Sequence, residues 1–271
     1  MILRAVIGVN FGDEGKGMFT DYLTTQERSL VVCYNGGSQK GHTVVSPDGM
    51  RHVTHHFGSG ILNGAPTYLA REYVINPITF RKEFEELGRM GIKPIVYVNT
   101  ECRMTMPHDM LLNQHIENNR SKRHGSCGLG IFETINRVSL NYLSLDEVKE
   151  YVKARLEEEQ IELTEEFESM IGDKILFRRY AEDVNFMMNN VMFTDDSVID
   201  NFENVVFEGA QGLLLDKDNQ EYFPHLTPSN TGIKGIYDII GDRELEINYI
   251  TRCYMTRHGE GKFDTEVNGK P

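Results

Sequence analysis

Ile2-Leu3-Arg4-Ala5-Val6-Ile7-Gly8-Val9-Asn10-Phe11-Gly12-Asp13-Glu14-Gly15-Lys16-Gly17 decides how the rest of the chain is read. Its first half, Ile2–Val9, is apolar except for Arg4. It is too short to span a bilayer and no small-residue cleavage site follows it, so it reads as a buried strand. Gly12 to Gly17 then turns the chain into Met18–Leu23, which can open a helix. Glycines let the backbone approach a phosphate closely, the helix start points N–H groups at it, and Lys16 supplies a cation. The spacing is not that of a Walker A loop: the first glycine of that motif falls at Asn10, and Gly17 stands where it needs Ser or Thr. Nor is it a dinucleotide fingerprint. Asp13 is suited to help hold Mg2+ beside phosphate oxygens, or to take a substrate proton. The plainer alternative is a tight turn with solvated charges.

Outward from this stretch, further strand-like runs lie at Leu30–Tyr34, Ile95–Val98, Val205–Glu208 and Ile247–Tyr254. Helical patterns separate several of them. After Ser144, which pairs with Glu147 as a capping box, Leu145, Val148, Val152 and Leu156 recur at helical spacing. Weaker patterns cover Thr79–Met90 and Glu165–Met188. Alternating strands and helices predict an α/β domain with a mostly parallel central sheet flanked by helices and ligands at the carboxyl ends of its strands. The length of 271 residues allows one large domain or two small ones; one elaborated domain over residues 1–271, with a helical insert at about 144–195, is the expectation.

Three more glycine-bearing loops fit that picture. Asn35-Gly36-Gly37-Ser38-Gln39-Lys40-Gly41-His42-Thr43 follows a strand, and His42 is suited to donate a proton to a developing phosphate anion. His124-Gly125-Ser126-Cys127-Gly128-Leu129-Gly130 offers backbone amides and the Ser126 hydroxyl to a phosphate. Glu208-Gly209-Ala210-Gln211-Gly212 closes a strand and presents the Gln211 amide to a polar ring or phosphate.

A net charge of −13 argues against nucleic acid as a broad-surface partner, and no segment argues for a membrane. Cys33, Cys102, Cys127 and Cys253 lie far apart without a C-x-x-C pair, which fits reduced structural thiols in a cytoplasm-like compartment.

The ordered motifs resemble the adenylosuccinate synthetase family over nearly the whole chain. The first loop resembles the family's opening signature, and Gly41-His42-Thr43 sits at the family's distance behind it. Phe207 to Asp216, with Tyr222-Phe223-Pro224, Thr227 and Ser229-Asn230-Thr231, resembles the third motif. Thr256-Arg257-His258-Gly259-Glu260-Gly261 with Phe263 and Thr265-Glu266 resembles the fourth. The resemblance implies a P-loop-NTPase-like adenylosuccinate synthetase fold, cytoplasmic location and a homodimer. It implies a ligase that transfers the γ-phosphoryl group of GTP to the 6-oxygen of IMP, after which L-aspartate displaces phosphate to give adenylosuccinate in purine biosynthesis. Asp13 then takes the purine N1 proton and contacts Mg2+, His42 acts as acid towards the departing diphosphate, and Lys16 stabilises the transferring group. The Gly41 carbonyl is the second metal ligand. Gly12, Glu14, Gly15, Gly17, Gln39, Lys40, Gly41, Thr43, Ser126, Cys127, Gln211 and Thr227 become nucleotide-binding positions.

The sequence departs from the family pattern around the acceptor. Gln39 replaces an asparagine, Cys127 replaces a threonine, and Arg137 lies about three residues early for the arginine that reaches across the family's dimer. The family's arginine-rich aspartate loop and its T-K-x-D base-reading segment do not occur, so the domain is expected to be C-terminally short. Two alternatives follow. One is the phage-type relative that makes 2-aminoadenylosuccinate from dGMP, acting in a host cytoplasm and leaving the donor as GTP or ATP; Asp13 speaks against it, because that branch carries Ser there. The other is a non-catalytic nucleotide-binding module.

Overall fold

The computed structural model describes residues 1–26, 28–137, 145–257 and 260–265. Its elements run β1 (Ile2–Gly8), α1 (Lys16–Leu23), β2 (Ser29–Cys33), β3 (His42–Val45), β4 (Arg51–Thr54), β5 (Thr67–Leu69), β6 (Val74–Ile75) and α2 (Pro77–Arg89). Then follow β7 (Val96–Asn99), β8 (Arg103–Met104), α3 (Pro107–Asn119), α4 (Ile131–Asn136), α5 (Leu145–Glu158), α6 (Glu165–Ile171) and α7 (Lys174–Met188). The chain continues through β9 (Met192–Thr194), β10 (Asn204–Gly212), α8 (Lys234–Ile240) and β11 (Glu246–Ile250).

A seven-stranded sheet in the order β11-β1-β10-β2-β5-β7-β9 forms the centre, and all its pairings are parallel. The chain steps outward from β1 through β2, β5, β7 and β9, then returns to insert β10 between β1 and β2. The carboxyl ends of β1, β10 and β2 therefore stand side by side where the strand order reverses, the place where open α/β sheets bind ligands.

Side-chain parity builds the core on both faces of this sheet. Leu3, Ala5 and Ile7 of β1, Leu30 and Val32 of β2, and Val205 and Phe207 of β10 pack with Ile236 and Ile240 of α8. The intervening Val6 and Val206 pack under Leu23 of α1. Farther along the sheet, Leu69, Val96 and Val98 meet Phe80 and Leu87 of α2 and Met187 of α7. A separate cluster joins Leu112 and Ile116 of α3 to Val148, Val152 and Leu156 of α5 and to Phe167 and Ile171 of α6.

Several boundaries differ from the sequence expectation. α2 begins at Pro77 rather than Thr79 because Asn76 Oδ1 accepts from the N–H groups of Ile78 (3.1 Å) and Thr79 (3.3 Å). The run Glu165–Met188 is two helices, since Thr164 caps the first and Asp173 starts a second by accepting from the Ile175 N–H at 2.7 Å. β11 ends at Ile250, short of Tyr254. Within 144–195 three helices are followed by β9, which pairs with β7 at the sheet edge. Ser144, His258, Gly259 and Glu266 lie outside the described residues. Among the described residues no helix is long and apolar enough to cross a membrane.

Candidate active site

The first loop coils tightly because Gly12 (φ 101°), Asp13 (φ 61°) and Gly15 (φ 97°) are all left-handed, a region in which Asp is among the better tolerated side chains. The coil turns the Asp13 side chain outward, where it is exposed. Glu14 and Lys16 fold inward instead. Glu14 Oε1 accepts from the N–H groups of Asn10 (3.0 Å) and Gly12 (2.8 Å), and Oε2 accepts from Lys16 Nζ at 3.0 Å, with both side chains buried. Gly8 makes room for them: a Cβ there would lie 2.4 Å from Glu14 Oε2 and 2.7 Å from Lys16 Nζ.

The start of α1 rests on His42, since a Cβ on Gly17 would come within 2.7 Å of the His42 Cβ. His42 opens β3, and its Nδ1 lies 2.7 Å from Glu208 Oε1. Glu208 is buried on β10, opposite Val6 of β1 and Cys33 of β2. Its Oε2 accepts from Lys40 Nζ (3.1 Å) and the Ser59 N–H (3.1 Å), and Oε1 also meets the Ser59 hydroxyl. Burial works to raise the Glu208 carboxyl, but Lys40 and His42 overcome it and hold the group far below the ordinary carboxylate range. Burial lowers His42 below its ordinary value despite Glu208, with Lys40 and Lys16 adding to the depression.

Beyond these strand ends lies a cavity of about 750 Å³, within the range of small-molecule sites. Gln39, Ser126, Cys127, Gln211 and Thr227 line it, together with the basic side chains Arg120, His124, Lys217, His225 and Arg257 and the acidic Glu133, Glu159 and Glu260. Gln211 reaches the cavity through an irregularity: between Val6 and Gly8 of β1 the partner on β10 jumps from Glu208 to Gly212, and Gln211 takes φ 66°. The cavity is joined through the chain to the phosphate loops, because Gln39 precedes Gly41-His42 and Gln211 follows Glu208.

The structure thus sorts the expected site residues into two adjoining groups. Asp13, Gly41 and His42 stand at the strand ends, and Gln39, Ser126, Cys127, Gln211 and Thr227 line the cavity. Thr43 is exposed on β3. Lys40 does not face a ligand: its ammonium is buried on Cys33 Sγ (3.2 Å), the Phe57 carbonyl (3.1 Å) and Glu208. Glu14 is likewise spent inside its own loop. In the third loop the N–H groups of Gly125 and Ser126 donate to Glu117 Oε1 (2.7 and 3.3 Å), and the Ser126 hydroxyl donates to Asn113 at 2.7 Å. Those two amides are already held by a carboxylate, so they are not free to receive a phosphate as the sequence suggested. Arg137 is buried against Asp109 at 2.9 Å. All four cysteines are free thiols.

Glu208 and Ser59 were not singled out as site residues by the sequence reading. A signal existed for Glu208, a lone carboxylate ending the apolar run Val205–Phe207. Ser59 carries none.

The model of the adenylosuccinate synthetase family matches residues 5–270. Adenylosuccinate synthetases of Xylella fastidiosa and Francisella philomiragia are 32% and 31% identical to 98% and 97% of this chain, respectively. The chain spans 65% of the length of each. Among solved structures, fully ligated adenylosuccinate synthetase from Plasmodium falciparum superposes with a TM-score of 0.69 at 22% identity, over 99% of this chain and 66% of that one. The succinoaminodeoxyadenylate synthetase of cyanophage S-2L, bound to dGMP and to dATP as energy donor, gives 0.60 at 17% identity, over 93% and 65%. A match that runs almost from end to end, over a sheet whose reversal point gathers the glycine loops, places the chain in the adenylosuccinate synthetase family.

Proposed function

We propose that this chain carries the phosphoryl-transfer centre of a C–N bond-forming ligase, which uses GTP to phosphorylate the 6-oxygen of IMP so that L-aspartate can displace phosphate and yield adenylosuccinate. The observation that carries the reading is the meeting of the first loop and His42 at neighbouring strand ends, next to a cavity of nucleotide size.

Asp13, exposed at the loop tip, takes the proton from purine N1, which pushes charge onto O6 and makes it a nucleophile. His42 keeps its Nδ1–H on Glu208; when the anionic triphosphate binds, Nε2 on the opposite ring edge takes a proton from solvent and donates it towards the leaving diphosphate oxygen. Lys16, paired beneath the loop with Glu14, braces the coil that receives the donor phosphates. Gln39, Ser126, Cys127, Gln211 and Thr227 orient the acceptor, with Arg120, Lys217 and Arg257 supplying cations for its phosphate. Gly12, Gly15, Gly17 and Thr43 frame the donor.

Mg2+ suits the oxygen donors present. Among the described residues no group of three or more His, Cys, Asp or Glu side chains gathers to cage a metal. One carboxylate, Asp13, and one exposed carbonyl, Gly41, fit an ion that keeps waters and takes its other ligands from phosphates. When bound, it neutralises charge on the phosphate oxygens. The working protein is proposed to be a cytoplasmic homodimer.

The phage-type reading, with dGMP as acceptor and ATP or dATP as donor, is favoured by the likeness to the cyanophage enzyme and opposed by Asp13. Phosphate release by the full-length gene product, with Mg2+, either donor and IMP or dGMP, with and without aspartate, separates the readings. Aspartate-dependent release with IMP is expected. A clear preference for dGMP overturns the acceptor assignment, and nucleotide binding without release identifies a non-catalytic module.

A further inference from the structure

The Lys40 ammonium has three protons to donate, and the fold supplies three acceptors: Cys33 Sγ, the Phe57 carbonyl and Glu208 Oε2. None remains for a ligand, so what Lys40 does it does inside the protein. Its charged partner is the informative one. Glu208 has four donors on its two oxygens: Lys40 Nζ and the Ser59 N–H on Oε2, His42 Nδ1 and the Ser59 hydroxyl on Oε1. A carboxylate with all its lone pairs engaged has one orientation. Stability alone is a poor reason for such a pair, because desolvating two buried charges often costs as much as their attraction returns. The carboxylate is also shared with the His42 imidazole.

We propose that Lys40 is a positioning residue. Its ammonium fixes the Glu208 carboxylate between Ser59 and His42, and the fixed carboxylate holds the His42 ring as the Nδ1–H tautomer with Nε2 turned away from Glu208. The structural link, Lys40 to Glu208 to His42, stands on the distances given. Its consequence for turnover rests on the phosphoryl-transfer reading above. A neutral side chain at position 40 leaves Glu208 without its cation, and the hydrogen bond that selects the His42 tautomer changes with it.

The test uses the full-length gene product with nitrogen-15-labelled histidine. Long-range proton–nitrogen correlation spectra report each ring's tautomer, and the His42 signals are assigned by their loss in His42→Asn. The wild type is expected to show Nδ1–H at His42, Lys40→Met to lose that single tautomer, and Lys40→Arg to restore it. In the aspartate-dependent assay Lys40→Met should lower kcat by up to about 10²-fold, the scale of a misplaced catalytic group, with little change in KM for either nucleotide. Should Lys40→Met fail to fold, the double variant Lys40→Met/Glu208→Gln removes both charges together. It should match Glu208→Gln alone in tautomer and in kcat. An Nε2–H tautomer in the wild type overturns the proposal, as does an unchanged His42 spectrum in Lys40→Met, or a loss on changing Lys40 that persists once Glu208 is Gln. The spectra are read without substrate, so a failure of the functional reading leaves the positioning test intact.

Discussion

Asp13 and His42 were legible as chemistry because each is a titratable side chain set among glycines at a strand end. Glu14 and Lys40, within two positions of them, looked equally available and are not. Whether a charged side chain in a glycine loop turns outward depends on which buried partner awaits it: Lys16 and two amides of the same loop for Glu14, and Glu208, far along the chain, for Lys40. The outward Asp13 makes a sharp prediction. Asp13→Asn keeps the size and the left-handed tolerance of the side chain but removes the base, so turnover should fall ~10²–10⁴-fold in a protein that still folds. Steady-state kinetics beside a melting curve checks it, and near-normal turnover excludes Asp13 as the base.

At the level of elements, the β3–β4 hairpin that carries His42 is fastened to α2 by two carboxylates, Glu86 on His52 Nδ1 (3.2 Å) and the buried Glu83. Glu83 accepts from the N–H groups of His55 (2.8 Å) and His56 (2.7 Å) and lies 3.4 Å from His52 Nε2. Burial favours its neutral form, yet His52 and His56 prevail and bring it down to about 2. A carboxyl lowered on folding gives stability that is fully present above its unfolded pKa and is lost as pH falls through the folded value. Glu83 should therefore contribute at pH 5 and above and lose that contribution between about pH 4.5 and 2, at most about 3 kcal/mol. Urea unfolding across this range should show a shallower acid limb in Glu83→Gln than in the wild type, and parallel limbs would refute the linkage. None of this was visible in the sequence, where His52, His55 and His56 stand some thirty positions before their partner on α2. Long strands and helices were legible because their period repeats. β5 and β9, with three residues each, are too short to show one.

Across the whole molecule, the motifs matter because they converge. Phe11 of the first loop meets Tyr222 edge-on at 5.0 Å and Phe263 at 5.9 Å, and the Arg257 guanidinium lies 4.5 Å over its ring. Residues from the first, third and fourth motifs thus share one aromatic joint, whose Arg257 also lines the cavity. The parallel α/β class followed from the alternation of strands and helices. The insertion of β10 between β1 and β2 did not, because no local pattern records which strand a returning chain will pair with; yet that insertion brings Glu208 to His42. The central claim is that the first loop and His42 serve the transfer of a phosphoryl group to the purine O6 before aspartate displaces it. It is tested most directly by supplying the full-length gene product with GTP, Mg2+, aspartate and IMP carrying oxygen-18 at position 6. If O6 is phosphorylated before aspartate displaces it, the phosphate released carries the label; unlabelled phosphate accompanying adenylosuccinate would contradict the account.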